Sequence, residues 1–180
     1  QRWSFAGGTP RRAWEDDAAN YIKNLESILA IVWADQTHHV QWVMPQQGNE
    51  TMQGYDLGSE ARRRIALEQA QAEPTFVVSP LVDLFQGGKG FLLIAPVFRQ
   101  GRPDGHLLMG SRVVDLLATV VNRHQQNGDA FILFDGPEEI ARLGALENAG
   151  SNDYQSEVVV NLSGTPLRLV VNVAGAAKRG

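Results

Sequence analysis

The sequence predicts an α+β fold built on an antiparallel sheet, and three observations carry that prediction. Apolar, β-branched runs such as AIVWA and VQWVM are joined by only a few polar residues, a hairpin pattern. Helical periodicity appears in separate blocks, at about residues 12–29, 59–72 and 111–125. The chain also carries 18 glycines and 8 prolines, enough to mark many tight turns.

In chain order, QRWSFAGGTP reads as part of an N-terminal tail over residues 1–11. A helix is expected from Arg12 to Leu29, with Ala18, Ile22, Leu25 and Leu29 near one face. AIVWAD, the turn QTHH and VQWVMP form a hairpin that offers Trp33 and Trp42 to a core. A glycine-rich passage then leads to Ser59, a plausible N-cap, with Glu60 favourably placed in the first turn of a second helix. That helix is expected to run to about Ala72, before Pro74.

TFVV and LVDLF follow as extended segments, and QGGKG turns into the strand FLLIAPVFR. Pro96 within that run predicts an edge position or a bulge near its end. RQGRPDG reads as a turn and HLLMG as a strand. SRVVDLLATVVNRHQ reads as a helix with an apolar stripe of Val113, Leu116, Leu117 and Val120. FILFDG predicts a strand, PEEIARLGAL a short helix, and AGSNDY a disorder-prone link. EVVVNL and PLRLVVNV close the chain as a hairpin about Ser163-Gly164-Thr165. The expected division is a subdomain over residues 12–125 with its leading helix, and a smaller strand-rich subdomain over 126–180. This order matches the architecture of PAS-like sensory domains.

Composition narrows the function. At 180 residues the chain can bury one sizeable core or two small ones. A net charge of −4 argues against a nucleic-acid partner, and the short run Arg62–Arg63–Arg64 reads as a solvated helix face. The absence of cysteine removes disulfides, thiol nucleophiles and thiolate metal sites. No apolar run approaches the roughly 18–20 residues of a membrane-spanning helix. The start at Gln1 gives the chain the look of a piece processed from a longer protein.

The catalytic motifs are missing. Gly58-Ser59-Glu60 lacks the trailing glycine of a nucleophile elbow. QGGKG lacks the spacing and the Ser/Thr of a phosphate loop and joins two strands. His38 and His39 are adjacent in a hairpin, where extended geometry points them to opposite faces. His106 and His124 have no partner at ligand spacing, so surface or turn histidine is the expectation. Nothing in the sequence brings two of Glu50, Asp56, Glu60 and Asp83 together as an acid/base pair. No catalytic residue, metal-ligand set or cofactor is expected.

Asp56 stands out, set between Tyr55 and Leu57 just before the second helix. One reading makes it a turn residue that accepts from local backbone N–H groups. The other makes it a carboxylate at the mouth of an apolar cavity, accepting from a ligand N–H. Trp42, Val77, Leu93 and Val97 are then candidate walls, and equally candidate core.

The strings WVMPQQGNETMQGYDLGSEARRRIALEQA and VVSPLVDLFQGGKGFLLIAPVF resemble the CHASE family of extracytoplasmic sensory domains. The shared elements are Trp42 to Pro45, Gly48-Asn49-Glu50, Gly54-Tyr55-Asp56-Leu57, the arginine-rich helix start, Ser79-Pro80, Leu84 to Gln86 and Ala95-Pro96-Val97-Phe98, over roughly residues 20–120. The resemblance implies a PAS-like ligand-binding subdomain with a smaller membrane-proximal one. It also implies a periplasmic or extracellular setting between transmembrane helices, a homodimer paired through the N-terminal helical region, and a histidine kinase or cyclic-nucleotide enzyme as output. In plant members an aspartate at the Asp56 position bonds an adenine ring, a main-chain contact falls near Val77 and a threonine near Gln86. Here Gln86 replaces that threonine, and Gly58, Gly87 and Gly88 also depart from the plant pattern.

The ligand-binding set expected on these grounds is Asp56, Val77, Ser79, Gln86, Trp42 and Leu93, with the ligand between the sheet and the helix that begins at Ser59. Two other classes stand beside it. One is a ligand-free dimerisation module; the other is a small enzyme using Asp56 or Glu60 as acid or base.

Overall fold

The computed structural model describes residues 11–25, 27–73, 75–122, 129–144 and 154–173. It contains two compact units, one ending at Arg112 and the other starting at Val113.

The first unit opens with helix α1 (Arg11–Asn24), followed by strands β1 (Ala30–Ala34) and β2 (Val40–Met44). Two short 3-10 turns (Glu50–Met52 and Leu57–Ser59) lead to helix α2 (Ala61–Ala72). Strands β3 (Val77–Val78), β4 (Val82–Asp83), β5 (Lys89–Arg99) and β6 (Arg102–Arg112) complete it. They form an antiparallel sheet in the order β2-β1-β6-β5-β3, with β4 also paired to β5.

Alternation along the strands divides this sheet into two apolar faces. Ile31, Trp33, Trp42, Leu107 and Met109 face α1, where Trp14 and Ala18 are buried. Ala30, Val32, Ala34, Ile94 and Leu108 face α2 and pack on Ala66, Leu67 and Ala70. At the β1–β2 turn, Asp35 accepts from the backbone N–H groups of Thr37 and His39 and from Gln41 Nε2. The β5–β6 turn is only Gln100-Gly101, both at positive φ, a geometry that follows the twist of the paired strands. Strand β6 therefore begins earlier than HLLMG, and RQGRPDG is mostly strand. A bulge falls between Val97 and Phe98, next to Pro96, where β3 no longer runs alongside β5.

Helix α1 is shorter than its periodicity predicts. Leu25 is exposed, and Leu29 is already extended, donating its N–H to the Gly110 carbonyl. The sheet's demand for a β1 partner overrides the last turn of the apolar pattern. The predicted tail lies outside the described residues up to position 10, as does Pro74, the predicted helix stop.

The second unit consists of helix α3 (Val113–Val121) and strands β7 (Ala130–Asp135), β8 (Glu138–Leu143), β9 (Tyr154–Leu162) and β10 (Thr165–Val173). Its sheet is antiparallel in the order β8-β7-β10-β9. The expected helix at PEEIARLGAL is instead strand β8, joined to β7 through the turn Gly136-Pro137. Residues with good helix propensity become a strand there because β7 supplies a ladder and Ala141 a buried position. In α3 the stripe is shifted: Val113 and Val121 are buried, while Val120 is exposed. The units divide earlier than residue 125 because α3 packs on β8. The helix's predicted end at 123–125 and the AGSNDY link up to residue 153 lie outside the described residues.

Candidate functional site

A small cavity lies on the α2 face of the first sheet. Its floor is Ala30 and Val32 of β1, Leu92 of β5, and Leu108 and Gly110 of β6; Met52, Leu57, Arg63 and the turn Asp83–Gln86 close it. The room inside is about 30 Å³. Gly110 widens the floor, because a side chain at that position would stand 3.6 Å from Leu92 Cδ2.

Arg63 is the charged wall. It is only 7% exposed, sharing the inward face of α2 with Ala66, Leu67 and Ala70. Its Nη2 donates to the Asp83 carbonyl at 2.7 Å, and its guanidinium carbon stands 5.9 Å from the centre of the Tyr55 ring. Among the described residues, Nη1 is buried without a hydrogen-bond partner and no acidic side chain forms an ion pair with this arginine. The Tyr55 hydroxyl is held below its usual pKa, first by a hydrogen bond from Ser59 and then by Arg63. Glu60 fixes the start of α2 by accepting from the N–H groups of Arg62 and Arg63 at 3.0 and 2.8 Å. Arg62 Nη1 donates to the Leu81 carbonyl, so successive arginines tie α2 to the β4 segment.

The family model of the CHASE domain matches residues 9–143. This chain belongs to the CHASE domain family. It is accordingly a ligand-binding sensor domain. None of the curated proteins compared with it matches the chain. Among solved structures, it is similar to an extracellular ligand binding receptor from Desulfohalobium retbaense, at 19% identity and a TM-score of 0.67, covering 96% of this chain and 35% of that one. It thus spans about a third of that receptor's length. A domain of a sensory box/GGDEF family protein from Vibrio parahaemolyticus aligns at 11% identity and a TM-score of 0.60, covering 91% and 78% of the two chains. The ligand-binding domain of the Pseudomonas aeruginosa amino acid chemoreceptor PctC, solved with GABA, aligns at 12% identity and a TM-score of 0.55, covering 96% and 86%. At these identities the likeness is one of fold, the PAS-like sensory fold.

The six residues singled out in the sequence are not gathered at one place in this CHASE domain. Gln86 lines the cavity, and its amide nitrogen donates to Asn49 Oδ1 at 2.7 Å. Asn49 is itself buried, with Nδ2 bonded to the Pro45 carbonyl. Val77 is buried in the α2-side core and pairs with Ile94. Ser79 is fully buried; its Oγ accepts from Leu92 N–H at 2.9 Å and so pins one cavity wall. Trp42 lies on the α1 face, 4.7 Å from Trp33 and 5.5 Å from Trp14, ring centre to ring centre. Leu93 alternates with Leu92 and so also points away from the cavity.

Asp56 is outside the lining. Its Oδ1 accepts from Gly58 N–H at 2.8 Å, capping the second 3-10 turn, and its backbone bridges to His39. The loop it orders delivers Leu57 to the cavity wall.

Two expectations are corrected here. Arg63 does not sit on a solvated face: with Ala66, Leu67 and Ala70 it falls at helical spacing on the buried side. That periodicity was present in the sequence, masked by the charge of the three consecutive arginines. His106 is neither a surface nor a turn residue. Because β6 starts at Arg102, His106 falls within the strand on the α2 face, 1% exposed and beside His38.

Proposed function

We propose that this CHASE domain is the periplasmic or extracellular sensor of a transmembrane receptor, and that it receives a small molecule in the cavity between the first sheet and α2. The observation that carries this reading is the cavity itself, an apolar floor with a buried guanidinium and an amide side chain at its wall. Such a pocket, mostly apolar with a few placed polar groups, is the usual form of a small-molecule site. The fold likeness to an extracellular ligand binding receptor and to a chemoreceptor's ligand-binding domain supports it.

In this reading Gln86 meets the ligand directly. Asp56 acts from the capped loop behind Leu57, and Val77 and Ser79 hold the walls. Trp42 and Leu93 contribute through the sheet's other face. The domain has no chemistry of its own; a histidine kinase or cyclic-di-GMP enzyme elsewhere in the full-length protein supplies the output. Transmembrane helices flank it, and it works as a homodimer paired through the α1 region.

A thermal-shift screen against amines, purines, amino acids and carboxylates, run beside Gly110→Ala and Asp56→Ala, tests the reading, since any ligand that prefers the folded state raises its melting temperature. A hit that weakens in Gly110→Ala supports a site in the cavity. Silence across the panel counts against the cavity as the ligand's site.

A further inference from the structure

We propose that the occupant of this cavity is a short aliphatic monocarboxylate whose carboxylate is bound by the unpartnered Nη1 of Arg63. The inference rests on the sensor reading of the same cavity and specifies the ligand's chemistry.

Three features converge on it. An arginine always carries its charge, and its planar fork of donors matches a carboxylate. At Arg63, which lines the cavity, that fork is more than nine-tenths buried; Nη2 is committed to a carbonyl and Nη1 has no hydrogen-bond partner among the described residues. A buried charge without a counter-charge is among the least favourable arrangements in a folded protein. Two acidic residues near it are engaged elsewhere: Asp83 offers Arg63 its carbonyl, while its carboxylate pairs with Lys89 at 2.8 Å, and Glu60 accepts backbone N–H groups. An anion in the cavity supplies the missing partner.

The rest of the lining limits what that anion carries. Val32, Leu92 and Leu108 are apolar, so they accept an aliphatic tail and disfavour a second charge. The small room limits the tail to a few atoms. Gln86 has its amide nitrogen committed to Asn49, which leaves Arg63 as the charged donor of the lining.

Propionate is the probe. Titration calorimetry of the protein in carboxylate-free buffer, at ionic strength matched with sodium chloride, compares propionate with propionamide and propylamine. The expected result is binding of propionate alone. Affinity should fall about tenfold or more in Arg63→Gln, the usual range for a charge-assisted hydrogen bond. Gly110→Ala keeps Arg63 and meets its neighbours at ordinary contact distance, yet puts a methyl group in the cavity floor. It should weaken propionate as well, and it retains the test if Arg63→Gln fails to fold. Equal binding of propionamide overturns the anion reading and leaves the cavity a ligand site. Absence of propionate binding, with a hit of another class in the wider screen, overturns it likewise. Silence in both removes the cavity as the ligand's site, and this proposal with it.

Discussion

The imidazoles of His38 and His106 face each other with ring centres 5.3 Å apart, and His106 is buried between β6 and α2. Among the described residues, neither ring nitrogen of His106 has a well-formed hydrogen bond. Burial, and then the proximity of His38, depress its pKa from 6.5 to about 4. A base with a depressed pKa binds fewer protons folded than unfolded, so stability rises with pH across that window.

Stability should therefore be complete above about pH 6.5 and decline as pH falls toward 4. At about 1.4 kcal/mol per pH unit, the full loss is roughly 3 kcal/mol. Urea unfolding measured at half-unit steps gives the slope, and His106→Leu should flatten it. An unchanged slope in that variant would assign the acid sensitivity to other groups.

Glu60 carries the start of α2 and with it the position of Arg63. Glu60→Ala removes a side chain that accepts two backbone N–H groups, and should cost about 1 kcal/mol. Glu60→Gln keeps an acceptor and should cost less. Denaturant midpoints at constant m-value distinguish the two.

Gly90 and Gly110 lie in adjacent strands with opposite tolerances. A Cβ at Gly90 would stand 2.3 Å from the Ser111 carbonyl oxygen and 2.4 Å from Leu84 Cδ1, whereas at Gly110 the nearest atom is 3.6 Å away. Gly90→Ala should destabilise by about 1–3 kcal/mol or more. Gly110→Ala should be neutral or slightly stabilising, since it removes chain entropy from the unfolded state. Equal melting temperatures for the two variants would contradict the packing described for the β4–β5 corner.

Trp14 is 2% exposed, yet its indole N–H has no partner among the described residues. Trp14→Phe keeps an aromatic ring beside Trp42 and removes the unsatisfied donor, so its cost should be small. Trp14→Ala should cost about 3–5 kcal/mol. Calorimetric unfolding of both variants separates the ring's packing from its polar edge.

The hairpin of Trp33 and Trp42, the strands around Pro96 and the final hairpin were legible because period-two patterns and turn residues are local signals. Strand β8 was not, since EEIARL favours helix locally and only pairing with β7 makes it extended. For the candidate site, the resemblance pointed to the loop of Asp56 and to Gln86, and the structure puts Gln86 at the cavity wall and Asp56 in a turn cap. Sheet faces explain the rest. Leu92 and Leu93 look alike in sequence, and only the register with β6 tells which one meets α2. Arg63 required setting its charge aside and reading the spacing to Ala66, Leu67 and Ala70 alone.

The two-residue turn at Gln100-Gly101 has a kinetic consequence. It lets β5 and β6 meet at almost no loop-closure cost, whereas β1 reaches β6 only by bringing Ala30 to Gly110, eighty residues away. Pulse-labelled hydrogen exchange during refolding should show β5–β6 amides protected before those of β1. The central hairpin then stands before the cavity floor is complete, so an occupant meets a β5–β6 pair that has already formed without it.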